Sequence, residues 1–258
     1  MAETNQLNEH ISALDAMKKY PSSLYYRGDL TLLDRLKISI VGSRRPSAYT
    51  QQMTYELAKK LSSAGVCIVS GAAMGVDAIA HNAAGANNTI AIMANGLDIR
   101  YPAVNRSLIT AVENEGLVLS QFEDGKKAAQ WSFVVRNELV VALGDVLIVT
   151  QADEKSGSMR SVEYALKMGK QVYVLLHRMG ESEGTNSLLR SGKAKAIYNI
   201  DAFIEPYGLT AKNLDNPFLL FCQNRPTYEE AVQRYPQEVF QYELEGKIDI
   251  IAGCVVVI

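Results

Sequence analysis

The sequence predicts a three-layer α/β domain on a mostly parallel sheet, and three observations predict it. From residue 37 onward, short runs that are apolar throughout alternate with amphipathic stretches of about ten residues or more. Strands of that kind are covered on both faces by crossover helices. Several runs end in small, flexible residues, as at Gly42-Ser43 and Ser70-Gly71, where a strand delivers its C-terminal end to the sheet rim. Gly65 and Gly169 follow amphipathic stretches, in the position that closes a helix with a left-handed residue.

The elements follow in chain order. Residues 1–20 place Leu7, Ile11, Leu14 and Met17 on one helical stripe, which Pro21 stops. Residues 20–36 read as a connector with a small helix around Leu30, Thr31, Leu32 and Leu33. This N-terminal helical segment, 1–36, is too small for a sizeable core and is expected to pack on the larger domain. Strands are predicted at 38–41, 66–69, 89–93, 117–119, 146–149 and 171–175, with a further short one at 196–198. Helices are predicted at 51–63, 76–84, 103–115, 132–142 and 158–168, and 177–195 as a loop with a short helix. The main domain therefore spans 37–208. Residues 213–217 look like a linker. Two helices follow at 227–233 and 238–245, with Thr227 and Glu230 spaced as a capping box. Strands at 247–251 and 253–258, with a turn at Ala252-Gly253, complete a small winged-helix-like module over 217–258.

Composition narrows the function classes. The 258 residues are 48% hydrophobic and 21% charged, enough for one large domain and a small one. Cys67, Cys222 and Cys254 form no short-spaced pair, and the start carries no signal peptide, so a reducing cytoplasm is expected. No apolar run reaches membrane-spanning length. Net charge is −2; residues 1–208 hold 22 Lys and Arg against 21 Asp and Glu, and residues 209–258 hold 4 against 7. A polyanion site must therefore be a local patch on a neutral body.

Five stretches carry the chemistry. Gly42-Ser43-Arg44-Arg45 ends a strand with a sharp turn, free N–H groups, a hydroxyl and two guanidinium forks, and no acidic residue occurs from 42 through 54. The plainer reading is a turn with two solvated arginines. Ser70-Gly71-Ala72-Ala73-Met74-Gly75-Val76-Asp77 brings backbone close to a ligand. Its glycines do not have dinucleotide spacing, and the chain has no phosphate-loop motif of the NTPase type. Asp77 and His81 share a helical face; a hydrolase would pair them with Ser70. The preferred reading is that Asp77 receives loop N–H groups and His81 packs beneath the loop. In Asn95-Gly96-Leu97-Asp98, Asp98 is placed to salt-bridge a basic loop residue. Lys126, Lys127, Trp131, Phe133, Arg136 and Asn137 mix cations with aromatics, a combination suited to single-stranded bases; core or dimer packing is the alternative for both rings. Lys155, Ser156, Gly157, Ser158 and Arg160 form a hydroxyl-rich basic turn with Ser158 as the expected helix N-cap. No metal-ligand spacing occurs, so no catalytic residue, metal or cofactor is assigned.

These stretches together resemble the DNA-processing protein A family, also called Smf. The matching motifs are Gly42-Ser43-Arg44, Ser70-Gly71-Ala72 with Gly75-Val76-Asp77 and Ala80-His81, and Gly96-Leu97-Asp98 with Tyr101-Pro102 and Asn105. Arg136-Asn137, Ser156-Gly157-Ser158 and Gly184-Thr185-Asn186 continue the order, over about residues 24–205. The resemblance implies an extended Rossmann-like domain that binds single-stranded DNA without sequence preference. It implies a homodimer that loads a RecA-type recombinase onto incoming DNA during natural transformation and protects that DNA from nucleases. Arg44 and Arg136 would then grip the DNA backbone. The family's Arg-Asn-Arg is Arg136-Asn137-Glu138 here, which weakens the local positive field and leaves Lys126 or Lys127 as substitutes. The acidic C-terminal module is expected to serve a partner rather than duplex DNA. The sheet pattern also resembles the nucleotide-hydrolysing proteins once labelled lysine decarboxylases. Their glycine-rich motif is depleted at Ser156-Gly157-Ser158-Met159-Arg160-Ser161-Val162-Glu163, so a nucleotide or phosphoribosyl hydrolase is the second expectation.

Overall fold

The computed structural model describes residues 3–214, 217–222, 226–251 and 253–257. They fall into two compact units, 1–205 and 206–258.

Among the described residues the first unit holds nine strands: β1 (Asn5–Gln6), β2 (Tyr25–Gly28), β3 (Lys37–Val41), β4 (Cys67–Ser70), β5 (Thr89–Met93), β6 (Leu117–Ser120), β7 (Val146–Val149), β8 (Val172–Leu175) and β9 (Lys195–Ile197). Their order across the sheet is β1-β2-β6-β5-β4-β3-β7-β8-β9. The seven strands from β3 onward are parallel to one another, and β1 and β2 add an antiparallel edge. The predicted strands all form, within a residue or two of their expected ends.

Alternation along each strand explains the layers. Val41, Val69, Ile92, Leu119 and Val149 join one buried cluster with Leu139, Val140 and Leu143 of α4 (Gln130–Leu143) and Val162 and Ala165 of α5 (Gly157–Lys167). Helices α1 (Ala48–Ser63), α2 (Val76–Ala84) and α3 (Arg106–Glu115) cover the other face; Ala91, Met93 and Val118 meet Ile109 and Val112 of α3 there. Helix α6 (Glu183–Arg190) packs near β8, and α7 (Ile200–Leu214) follows β9.

The N-terminal segment departs from the expected helix. Residues Ser12–Ala16 make only a 3-10 turn, and β1 and β2 extend the sheet beyond β6. The apolar stripe is real, since Leu14 and Met17 are buried in the main core with Leu7 and Ile11 packed on it. Its backbone bonds go elsewhere: Leu7 N–H donates to Leu24 O at 2.7 Å and Ile11 N–H to the Tyr20 hydroxyl at 2.9 Å. The ladder offered by the edge of β6 outweighs a weak local helix preference.

The second unit contains α8 (Pro217–Cys222), α9 (Tyr228–Arg234), α10 (Pro236–Leu244) and an antiparallel hairpin of β10 (Ile248–Ile251) and β11 (Cys254–Val257). Phe218, Leu219, Cys222, Ala231, Val239, Ile248 and Val255 form its core. The Thr227–Glu230 capping box closes in both directions, at 2.9 and 3.3 Å. Of the expected linker, residues 213–214 are helical, and residues 215 and 216 lie outside the described residues, as do Ala252 of the expected turn and Ile258 of the last strand.

Candidate nucleic-acid interface

Strand β3 has β4 on one side and β7 on the other, and the chain leaves β3 toward α1 on one face and β7 toward α5 on the opposite face. A crevice opens outside the strand ends at such a switch point. Here it is a cleft of about 380 Å³ lined by Gly42, Ser43, Arg44, Arg136, Asn137, Ser156, Gly157 and Ser158, among others. A second hollow of about 550 Å³ shares Arg44, Arg136, Asn137, Ser156 and Gly157 and adds Lys155 and Arg160.

Three loops are clamped together to make it. Ser158 Oγ donates to Gly42 O at 3.0 Å, joining the loop after β7 to the loop after β3. Val76 N–H donates to Ser43 O at 3.1 Å, and Gly75 has φ +78° with its missing Cβ facing the Ser43 and Arg44 carbonyls. Only glycine satisfies that backbone and that space. Asn105 Nδ2 donates to Ala72 O and Ala73 O at 2.9 and 3.0 Å, holding the third loop.

Arg136 is the floor. It is 5% exposed, and its Nη1 donates to Gly71 O and, at 3.1 Å, to Ile92 O. A Cβ on Gly71 would overlap this guanidinium. Its Nε is buried with no hydrogen-bond partner among the described residues. Burial pushes the Arg136 pKa down, Arg44 adds to that, and Asp77 opposes it. Exposed Arg44 lies 5.4 Å from the Phe133 ring centre and Arg136 lies 5.9 Å from the same ring. Two guanidinium groups far apart in sequence thus share one aromatic ring, within cation–π reach.

Ser156, rather than the expected Ser158, occupies the N-cap of α5, and its Oγ is buried with no hydrogen-bond partner among the described residues. The first-turn N–H groups of α5 carry partial positive charge beside the cleft. Asp153 also lines it and subtracts from that field.

The Asp77–His81 pair is structural, as preferred. Asp77 Oδ2 accepts Gly71 N–H at 3.1 Å; burial raises its pKa, while Arg136 and loop N–H groups oppose the rise. His81 Nε2 accepts Ala72 N–H at 3.3 Å, and its Nδ1 meets Thr89 Oγ1 at 2.6 Å. The Thr89 hydroxyl donates to Ile68 O, so the imidazole is neutral with its proton on Nδ1. Burial, assisted by Arg136, depresses its pKa to about 3. Ser70 is fully enclosed with its hydroxyl donated to Ile40 O at 2.6 Å.

Several expected ligand contacts are therefore relocated. Ser70 is a core residue, and Gly71 makes room for Arg136. Asp98 forms no expected ion pair among its described contacts; it accepts Gly125 N–H at 2.8 Å and fixes the loop that carries Lys126. Gly184 and Thr185 are buried in α6, where Gly184 N–H and Ser182 Oγ brace Ala152 from behind. Arg45 and Lys127 are exposed and line neither hollow. Lys126 instead sits 5.2 Å from the Trp131 ring centre. Glu138 accepts Lys18 N–H at 2.9 Å, which ties the N-terminal segment to α4. Ala128, Gln130 and Val134 line the second hollow without any chemical type that marks them in the sequence.

The family model described as DNA recombination-mediator protein A matches residues 4–208. The DNA processing protein DprA of Bacillus subtilis is 34% identical over 190 residues, covering 72% of this chain and 64% of that protein. That of Streptococcus pneumoniae is 35% identical over 189 residues, covering 72% and 67%. The chain thus spans about two thirds of these relatives, and 49% of the Escherichia coli protein Smf, with which it is 32% identical over 182 residues and which covers 69% of this chain. The solved structure of Helicobacter pylori DNA processing protein A, described for its single-stranded DNA binding mode, superposes with a TM-score of 0.78 at 44% identity, covering 80% of this chain and 95% of that one. The Streptococcus pneumoniae structure gives 0.72 at 31% identity, covering 78% and 72%. With the family model covering the whole first unit from residue 4 onward, the chain belongs to the DNA recombination-mediator protein A family.

Proposed function

We propose that this protein binds single-stranded DNA by its phosphate backbone, without sequence preference, in the cleft floored by Arg136. In this reading Arg44, Lys155, Arg160 and the first turn of α5 take successive phosphates. A homodimer then hands the strand to a RecA-type recombinase and shields it from nucleases during DNA uptake in the cytoplasm. The observation that carries the reading is the convergence of Arg44 and Arg136 on Phe133 beside the α5 N-terminus. Binding rather than hydrolysis is favoured because the Ser70 hydroxyl and both His81 nitrogens are engaged in holding loops.

Arg44 is the cleaner probe, since Arg136 also supports the Gly71 loop. Arg44→Ala should fold normally and weaken binding of a labelled dT oligonucleotide by at least about tenfold, the scale of one lost charge-assisted contact. Arg45→Ala should bind like the parent. Equal affinity of Arg44→Ala and parent at moderate salt, or release of free base from nucleoside monophosphates, would overturn the reading. Loading is tested by recombinase-driven strand exchange, which the parent should stimulate and Arg44→Ala should not.

A further inference from the structure

Trp131 is the single tryptophan of the chain and stands 52% exposed in the first turn of α4. Phe133, two residues on, already has Arg44 and Arg136 near its ring and Tyr101 beside it at 6.0 Å. Its ring is part of the scaffold. Trp131 is differently placed. Phe122 meets it edge-on at 5.5 Å, interplanar angle 80°, and steadies the indole while half of it stays in solvent. Lys126, itself exposed, holds its ammonium 5.2 Å from the ring centre. The Lys126 backbone is pinned by Gly96 N–H at 2.8 Å, so its side chain swings from a fixed root. Gln130 and Val134, neighbours of Trp131 on the helix, line the 550 Å³ hollow that also holds Arg44, Lys155 and Arg160.

We propose that Trp131 is a base-stacking platform at the exit of the phosphate groove, and that Lys126 leaves the indole to pair the adjacent phosphate when a base arrives. The inference rests on the single-stranded DNA reading. Three features choose a nucleobase as the occupant: the place of Trp131 on α4 between Gln130 and Val134, which line the basic hollow, a cation poised at its ring, and a rigid aromatic support. A large aromatic held open in this way stacks any base, which suits binding without sequence preference. A second copy of the chain seated on the indole is the competing occupant.

The test uses the full chain, a dT oligonucleotide, and an abasic oligonucleotide of the same length and charge. With a single tryptophan among 13 tyrosines, emission excited beyond the tyrosine absorption band reports this site alone. Addition of dT should quench it, and the abasic strand should not. Trp131→Ala should bind labelled dT about 5- to 100-fold more weakly, as expected for one lost stack, and bind the abasic strand like the parent. Trp131→Phe should restore most of the dT affinity, and Lys126→Ala should weaken both strands. Unchanged dT affinity in Trp131→Ala, or equal losses for dT and abasic strands, would overturn the platform while leaving the groove standing. Conversion of the parent's oligomer to monomer by Trp131→Ala, with no base-dependent quenching, would assign the indole to a protein interface instead. No binding of dT by the parent would overturn both the platform and the groove.

Discussion

Gly71 and Arg136 explain each other. The guanidinium fills the place where a side chain at residue 71 would be, and it donates to the carbonyl of that same glycine. From sequence, the Ser70-Gly71 pair reads as a phosphate cradle, because hydroxyl and glycine look the same whether they face a ligand or a neighbouring carbonyl. Only the fold shows that Ser70 turns inward. Arg44 was legible because it follows a strand end with no acidic residue near it in the chain. His81 gives a residue-scale prediction. Its proton affinity in the folded state is depressed to about 3, below the unfolded value of about 6.5. As pH falls through that window the unfolded chain takes the proton first, so stability falls on acidification. Between pH 7 and pH 5 the loss from His81 should be ~2 kcal/mol. The raised pKa of Asp77 acts in the opposite sense, so the total slope is not the readout. Denaturation of the parent and of His81→Gln should be compared, and the variant should show a shallower loss by roughly that amount. Parallel pH curves would show that His81 takes up its proton in the folded protein as readily as in the unfolded chain.

Elements were legible where their environment is uniform. Strands β3 to β8 are largely apolar on both faces because helices cover both, so each announces itself as a short, mostly apolar run. Strand β2 does not. It reads Tyr25-Tyr26-Arg27-Gly28, and Arg27 is buried with Glu113 on α3 and Thr4 receiving its guanidinium, at 3.4 Å and 2.8–3.0 Å, and the Asp124 carboxylate 3.8 Å away. A long-range ion pair of this kind leaves no local pattern. Helix α7 is not among the expected helices; Pro206 stands within it, where a proline ordinarily ends a helix. Helix α4, which carries Phe133 and Arg136, ends on a device that is also invisible in sequence. Lys170 donates to the carbonyls of Val141, Ala142 and Gly144 at 3.0, 2.5 and 2.6 Å. It neutralises the negative end of the helix and satisfies carbonyls left without intrahelical donors. Lys170→Met keeps the stem and removes the donors. It should cost ~2 kcal/mol in urea denaturation, with binding to DNA unchanged at temperatures where the variant is folded. A loss below about 0.5 kcal/mol would mean that water replaces the ammonium at no cost.

At the scale of the molecule, a net charge of −2 sets how the proposed DNA site must work. A body this close to neutral has no long-range field to draw a polyanion in, so affinity has to come from the patch itself. The exposed cations available to phosphates there are Arg44, Lys155 and Arg160, with Lys126 beside Trp131. If each pairs one phosphate, log affinity should fall with log salt at a slope of about −3 on single strands, since each contact contributes about −0.7. Raising salt from about 50 to 200 mM should therefore weaken binding on the order of 50-fold. Lys155→Ala with Arg160→Ala should flatten the slope by about 1.4, and each residue alone by half of that. Arg45→Ala and Lys127→Ala, whose residues line neither hollow, should leave it unchanged. Titrations of a labelled dT oligonucleotide across that salt range measure all of these. The absolute affinity alone would not separate the alternatives, because stacking on Trp131 adds binding that salt barely touches. A slope of the expected size that ignores Lys155 and Arg160 would place the strand on another face of the protein, whatever its affinity.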